Sequence, residues 1–134
     1  MKSFTECFAS FGAELPNPQW AVSALAEDGA LVISCWSLYF DRPDADTLRY
    51  RDSLSRWSGN ELGNRLLKAH LERAVALSLP IRLVVATPTA REEIDAGRDA
   101  STVRKKFHTK PDVVGRVVDF DGDNFAIDFQ RISQ

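Results

Sequence analysis

From Glu61 to about Leu79 apolar residues recur at helical spacing, Pro80 forbids continuation, and Ile81 to Thr87 follows at once, apolar everywhere but Arg82. A strand with no polar side reads as buried on both faces, which makes it central in a sheet and makes the preceding helix a layer lying on that sheet. Ser58 and Glu61 have capping-box spacing, so the helix is expected over about 59–79. Winding it at about 100° per residue gathers Leu62, Gly63, Leu66, Leu67, Leu71, Ala74 and Leu77 on one wide face, with Glu61, Arg65, Lys68 and Glu72 opposite. His70 falls inside the apolar face, either as a hydrogen-bonded core histidine or, with Trp36, as part of a pocket beneath the helix.

Ahead of the helix, Ser3 and Glu6 repeat the capping-box spacing, with Phe4, Phe8 and Phe11 on one face and Gly12 as a stop, predicting a short N-terminal helix. Leu15-Pro16-Asn17-Pro18 excludes helix. Trp20–Ala26 and Leu31–Phe40 read as a hairpin turning at Asp28-Gly29. Asp41 to Trp57, with Pro43 and no clear period, reads as a long functional loop or a loop with one helical turn. Thr89 and Glu92 suggest a short helix ended by Gly97, and Val103–His108 a strand. Val113–Phe120 and Asn124–Gln130 read as a last hairpin; a two-residue turn at Asp121-Gly122 would set Val118 opposite Phe125 and Val114 opposite Phe129. The expected architecture is α+β, one domain over 1–134: a mostly antiparallel sheet of about five or six strands with the long helix on one face.

The chemistry is bounded mainly by what is missing. Two cysteines, Cys7 and Cys35, and two histidines are too few for a disulfide scaffold or a cysteine zinc site, and suit a reducing, cytoplasmic setting. No apolar run approaches the roughly 20 residues that cross a bilayer, and Met1-Lys2-Ser3-Phe4-Thr5-Glu6 does not read as a secretory signal, so no membrane partner is expected. Phosphate-loop, dinucleotide and His-Glu-x-x-His patterns are absent, and no cofactor or metal is expected. Pro111-Asp112 could open a metal-dependent nuclease pattern, but no lysine follows Lys110 to complete it. Asp119, Asp121 and Asp123 alternate as calcium ligands would, yet Asn124 stands where the loop glycine belongs and Gln130 replaces the bidentate glutamate, which favours a solvated hairpin tip. Cys35 lies between Ser34 and Trp36 with no neighbouring cation to activate it.

Charge layout is the strongest positive signal. The net charge of −2 conceals 2 basic against 7 acidic residues over 1–48, 14 against 8 over 49–116, and 1 against 4 over 117–134. Two compact runs within the basic middle interleave cations with rings: Arg49-Tyr50-Arg51 with Arg56-Trp57, and Arg104-Lys105-Lys106-Phe107-His108-Thr109-Lys110. Cations that neutralise phosphates beside rings that stack on bases are what sequence-tolerant nucleic-acid binding requires. Trp20, Trp36 and Trp57 also permit an aromatic-lined pocket. The expected function is a small non-catalytic module contacting nucleic acid through Arg49, Tyr50, Arg51, Arg56, Trp57, Arg104, Lys105, Lys106, His108 and Lys110. Two alternatives stand beside it: a protein-interaction domain, self-associating or partner-binding through complementary charge, and more weakly an enzyme with a pocket at His70 and Trp36.

Overall fold

The computed structural model describes residues 3–57, 59–88 and 105–132. Eight strands among them form one unclosed, mostly antiparallel sheet: β1 (Ser23–Leu25), β2 (Leu31–Trp36), β3 (Phe40–Asp44), β4 (Thr47–Ser53), β5 (Ile81–Pro88), β6 (Lys105–Thr109), β7 (Val113–Phe120) and β8 (Asn124–Arg131). Their order is β1-β2-β5-β7-β8-β4-β3, with β6 also on β5. Among the described residues two helices, α1 (Phe4–Ala9) and α2 (Glu61–Leu77), accompany the sheet. The α+β class stands, with more strands than the five or six expected.

The added strands lie where a loop was expected. Asp41 to Trp57 forms most of the β3–β4 hairpin and a 3₁₀ turn over Leu54–Trp57. Leu48, Tyr50 and Asp52 of β4 stand opposite Phe129, Ile127 and Phe125 of β8, so the strand has an inner row, but its outer row is Arg49, Arg51 and Ser53. β3 is an edge strand carrying Asp41, Arg42, Pro43 and Asp44, a composition that discourages pairing with another chain and hides the strand from a reading based on apolar alternation.

β2 and β5 are parallel, with Leu31 opposite Ile81 and Trp36 opposite Ala86, and both are almost wholly buried. Leu31, Ile33, Leu83 and Val85 pack toward α2 through Leu67, Leu71 and Ala74; Val32 and Val84 join Cys7 and Phe8 of α1 and Ala24 of β1 on the other side. Covering on both sides accounts for the continuous apolar sequence of β5. Its single charge, Arg82, lies over the Phe11 ring at 4.8 Å and donates to the Pro111 carbonyl at 2.9 Å.

α1 begins with the expected capping box: the Ser3 hydroxyl accepts from the Glu6 N–H, and the Glu6 carboxylate accepts from the Ser3 N–H. α2 is capped by Asn60, not by Ser58, which lies outside the described residues, and Ser78 closes it in a left-handed conformation. The buried face of α2 is narrower than the winding suggested. Gly63, Leu67, Leu71 and Ala74 are buried, whereas Leu62 and Leu77 are 51% and 59% exposed.

The last hairpin has a different register from the expected one. Phe120 pairs with Phe125 and Asp119 with Ala126; the register then shifts between Val117 and Asp119, leaving Gly115 opposite Phe129. Asp121 causes this by bridging the tip: its carboxylate accepts from the Asp123 and Asn124 N–H groups, and its own N–H reaches the Asn124 carbonyl. The short helix expected over 89–97 lies outside the described residues.

Candidate nucleic-acid interface

The first basic run is distributed along β4 and the 3₁₀ turn after it, and strand alternation separates its members. Arg49 meets Asp128, its register partner on β8, in a two-point ion pair at 2.6 and 2.8 Å. That hydrogen bond lowers the Asp128 carboxyl below its usual range, against a smaller effect of burial, and raises Arg49. Arg51 lies 3.9 Å from Asp41 and is well exposed. Tyr50 turns inward and is 2% exposed, so its ring is closed to a ligand and cannot serve as a stacking surface. Its hydroxyl donates to Asp52 at 2.7 Å and accepts from the Trp36 N–H at 3.2 Å. Burial first, then the Asp52 charge, pushes the Tyr50 hydroxyl well above its ordinary pKa. Arg56 donates to Asp52 at 2.9 Å and stacks over Tyr39 at 4.3 Å. Trp57 ends the 3₁₀ turn; its side chain and Arg104 lie outside the described residues.

The second run forms β6, antiparallel to β5 with Phe107 opposite Ala86. Alternation sends Lys105 and Phe107 to one side, Lys106 and His108 to the other. The Phe107 ring packs on Phe4 at 4.6 Å, and the Lys105 ammonium lies 5.9 Å from the Trp36 ring and 6.0 Å from the Phe107 ring. Lys105 and Phe107 thereby line a 480 Å³ groove with Phe4, Trp20 and Asn60. Lys106 and His108 are exposed, with no ion pair or hydrogen bond from their side chains among the described residues. Lys110 lies beyond β6, 3.6 Å from Asp112.

β5, β7 and β8 stand between β6 and β4 in the sheet, so most of the two runs remain apart. One member of each run lies at a ring of the same segment: Lys105 is 5.9 Å from Trp36 and Arg56 4.3 Å from Tyr39, rings three positions apart where β2 passes through a 3₁₀ turn into β3. Trp20 shares the groove with Lys105, and Tyr39 receives Arg56. Trp20 was visible as an aromatic but had no sequence neighbour tying it to the lysines; Tyr39 read as strand interior.

His70 and Trp36 have different partners in the fold. His70 Nδ1 is 2.8 Å from the Ser23 hydroxyl, and burial, aided by the charge of Arg73, lowers its pKa. Trp36 borders a 30 Å³ void shared with Tyr50, Asp52 and Asn64, about the space of one water. Cys35 is buried, and burial followed by the charge of Asp52 raises its thiol pKa well above normal, the reverse of what a nucleophile needs. Among the described residues no three His, Cys, Asp or Glu side chains are grouped to hold a metal ion, and no helix is long and apolar enough to cross a membrane. Asp123, the third acid of the calcium-like run, accepts from the Ser55 N–H and hydroxyl at 2.7 and 2.9 Å. Comparison with family models, curated proteins and solved structures found no match to this chain.

Proposed function

We propose that the protein is a non-catalytic module that contacts single-stranded nucleic acid through β6 and the groove beside it. One observation carries this reading: a five-residue strand sets Lys105 and Phe107 into a groove with Trp20 and Phe4, and leaves Lys106 and His108 exposed on its other side. Rings in a groove accept an unstacked base of any identity, and ammonium groups beside them neutralise the flanking phosphates. Arg56 stacks over Tyr39 but is ion-paired with Asp52 at 2.9 Å, so it adds little to this surface. Arg49 and Arg51 contribute little to it, since each faces a carboxylate.

The test is fluorescence anisotropy with labelled single-stranded DNA and RNA across salt concentrations. Affinity should fall steeply with salt, and the double reversal Lys105→Glu with Lys106→Glu should weaken all sequences alike. Two lost phosphate contacts would reduce the log–log salt slope by about 1.4, at about 0.7 per contact. No binding by the native chain, or unchanged binding after reversal, rejects the proposal.

A second reading, association with another protein or with itself, draws on Leu62 and Leu77, which leave apolar surface exposed along α2. Light scattering separates the two, because self-association raises the mass with no nucleic acid present.

A further inference from the structure

The inner row of β8 runs Phe125, Ile127, Phe129, all buried, and by alternation its next member is Arg131, which is exposed. A guanidinium therefore continues a row that otherwise builds the core. Around it the floor is apolar: Leu48 of β4 stands opposite Phe129, and Val113 of β7 opposite Arg131. Two further cations reach the same place from other parts of the fold. Lys110 comes from the turn that opens β7, and Arg42 from the irregular stretch of β3 between Asp41 and Asp44. All three border a cleft of 560 Å³ in which Leu48 is half-buried, with Val113 and Phe129 buried beneath.

The carboxylates in the cleft are Asp112, held 3.6 Å from Lys110, and Asp46. Neither the Arg42 nor the Arg131 side chain has an ion pair or hydrogen bond among the described residues. Two unengaged guanidinium forks with an ammonium between separate strands suit a group with several charged oxygens, because each fork can donate two parallel hydrogen bonds. The volume lies within the range of about 300–1,000 Å³ usual for small-molecule sites, and the apolar floor offers contact to the uncharged part of a ligand.

We propose that this cleft binds a phosphorylated small molecule, with the phosphate held by Arg42 and Arg131, assisted by Lys110, and the organic part resting on Leu48. The site uses neither the groove of β6 nor the rings around it, and stands or falls independently of nucleic-acid binding.

Isothermal titration of the full chain with inorganic phosphate and with adenosine monophosphate tests it. Adenosine monophosphate should bind saturably at one site and more tightly than inorganic phosphate, and the double variant Arg42→Gln with Arg131→Gln should weaken it at least tenfold with an unchanged melting temperature. Absence of saturable binding by the native chain overturns the proposal, as does undiminished binding by the variant. If the variant instead loses affinity for single-stranded oligonucleotides while adenosine monophosphate never bound, the arginines belong to the nucleic-acid surface and the small-molecule site is rejected. If the variant gains mass in light scattering and the native chain binds no phosphate, the arginines serve to keep strand ends from pairing between chains, which also rejects it.

Discussion

Gly63 and Trp20 approach so closely that a Cβ on Gly63 would lie 2.4 Å from the Trp20 carbonyl oxygen. Asn60 fixes this approach: its side-chain amide donates to that same carbonyl at 3.0 Å, while its oxygen accepts the Gly63 N–H at 3.1 Å. One side chain thus caps α2 and ties it to the segment that carries Trp20 into the groove. Gly63→Ala forces backbone to move, and should cost about 1–3 kcal/mol in urea unfolding, the range of overpacked sites. Asn60→Ala should cost about 1–2 kcal/mol through the lost cap and the unpaired carbonyl. Trp20 fluorescence should shift in both variants if the groove opens as the segment loosens.

Tyr50→Phe keeps the ring and deletes one hydroxyl. The Trp36 N–H then loses its acceptor and Asp52 loses a donor, both in buried surroundings. The expected loss is about 1–3 kcal/mol by chemical denaturation, well above that of a surface hydroxyl. A change below a few tenths would mean that water in the adjoining void replaces the hydroxyl.

The Arg49–Asp128 pair makes stability depend on acid. Asp128 is held below its ordinary pKa by the hydrogen bond from Arg49, so its contribution is complete above the unfolded carboxyl value and disappears as pH falls through the folded one. Asp128→Asn should destabilise by about 1 kcal/mol at pH 7, a figure moderated by partial exposure of both groups. The difference from the native chain should vanish at low pH.

His70 responds in the same sense for a different reason. Burial, then Arg73, lowers its pKa, so the unfolded chain binds the proton more readily than the folded one. Native stability is complete above the ordinary histidine value of about 6.5 and declines as pH falls below it toward the folded value. Comparing urea midpoints of the native chain and His70→Gln between pH 5 and 7.5 isolates this dependence. A difference constant across that range would show that His70 does not titrate with folding.

Sequence reasoning worked where an element has a periodic apolar row and its own punctuation. Ser3 and Glu6 capped α1, Asp28-Gly29 turned the first hairpin, and the unbroken run at Ile81 identified the strand covered on both sides. It failed for β4, because its inner row alternates aromatic, aliphatic and acidic side chains whose suitability depends on β8, and for β3, whose charged edge composition has no apolar row. The hairpin register was missed because Asp121 organises a longer tip than Asp-Gly alone implies, and Gly122 at φ 102° fits either. The charge runs were visible as composition, but their partners were not: Asp128 lies seventy-nine positions from Arg49 and meets it only through sheet pairing. Arg42 and Arg131 are isolated cations in the sequence, and only strand order brings them to one cleft.

The parallel pairing of Leu31 with Ile81 joins residues fifty positions apart. The hydrogen bonds at the centre of the sheet can form only after a loop containing β3, β4 and α2 has closed, a toll in chain entropy levied before burial returns anything. Folding should therefore be slow for a protein of this size, in milliseconds to seconds, with an apolar β2 edge open until β5 arrives. A refolding chain is then most vulnerable to aggregation at its future centre, the part that is best protected once folding is complete.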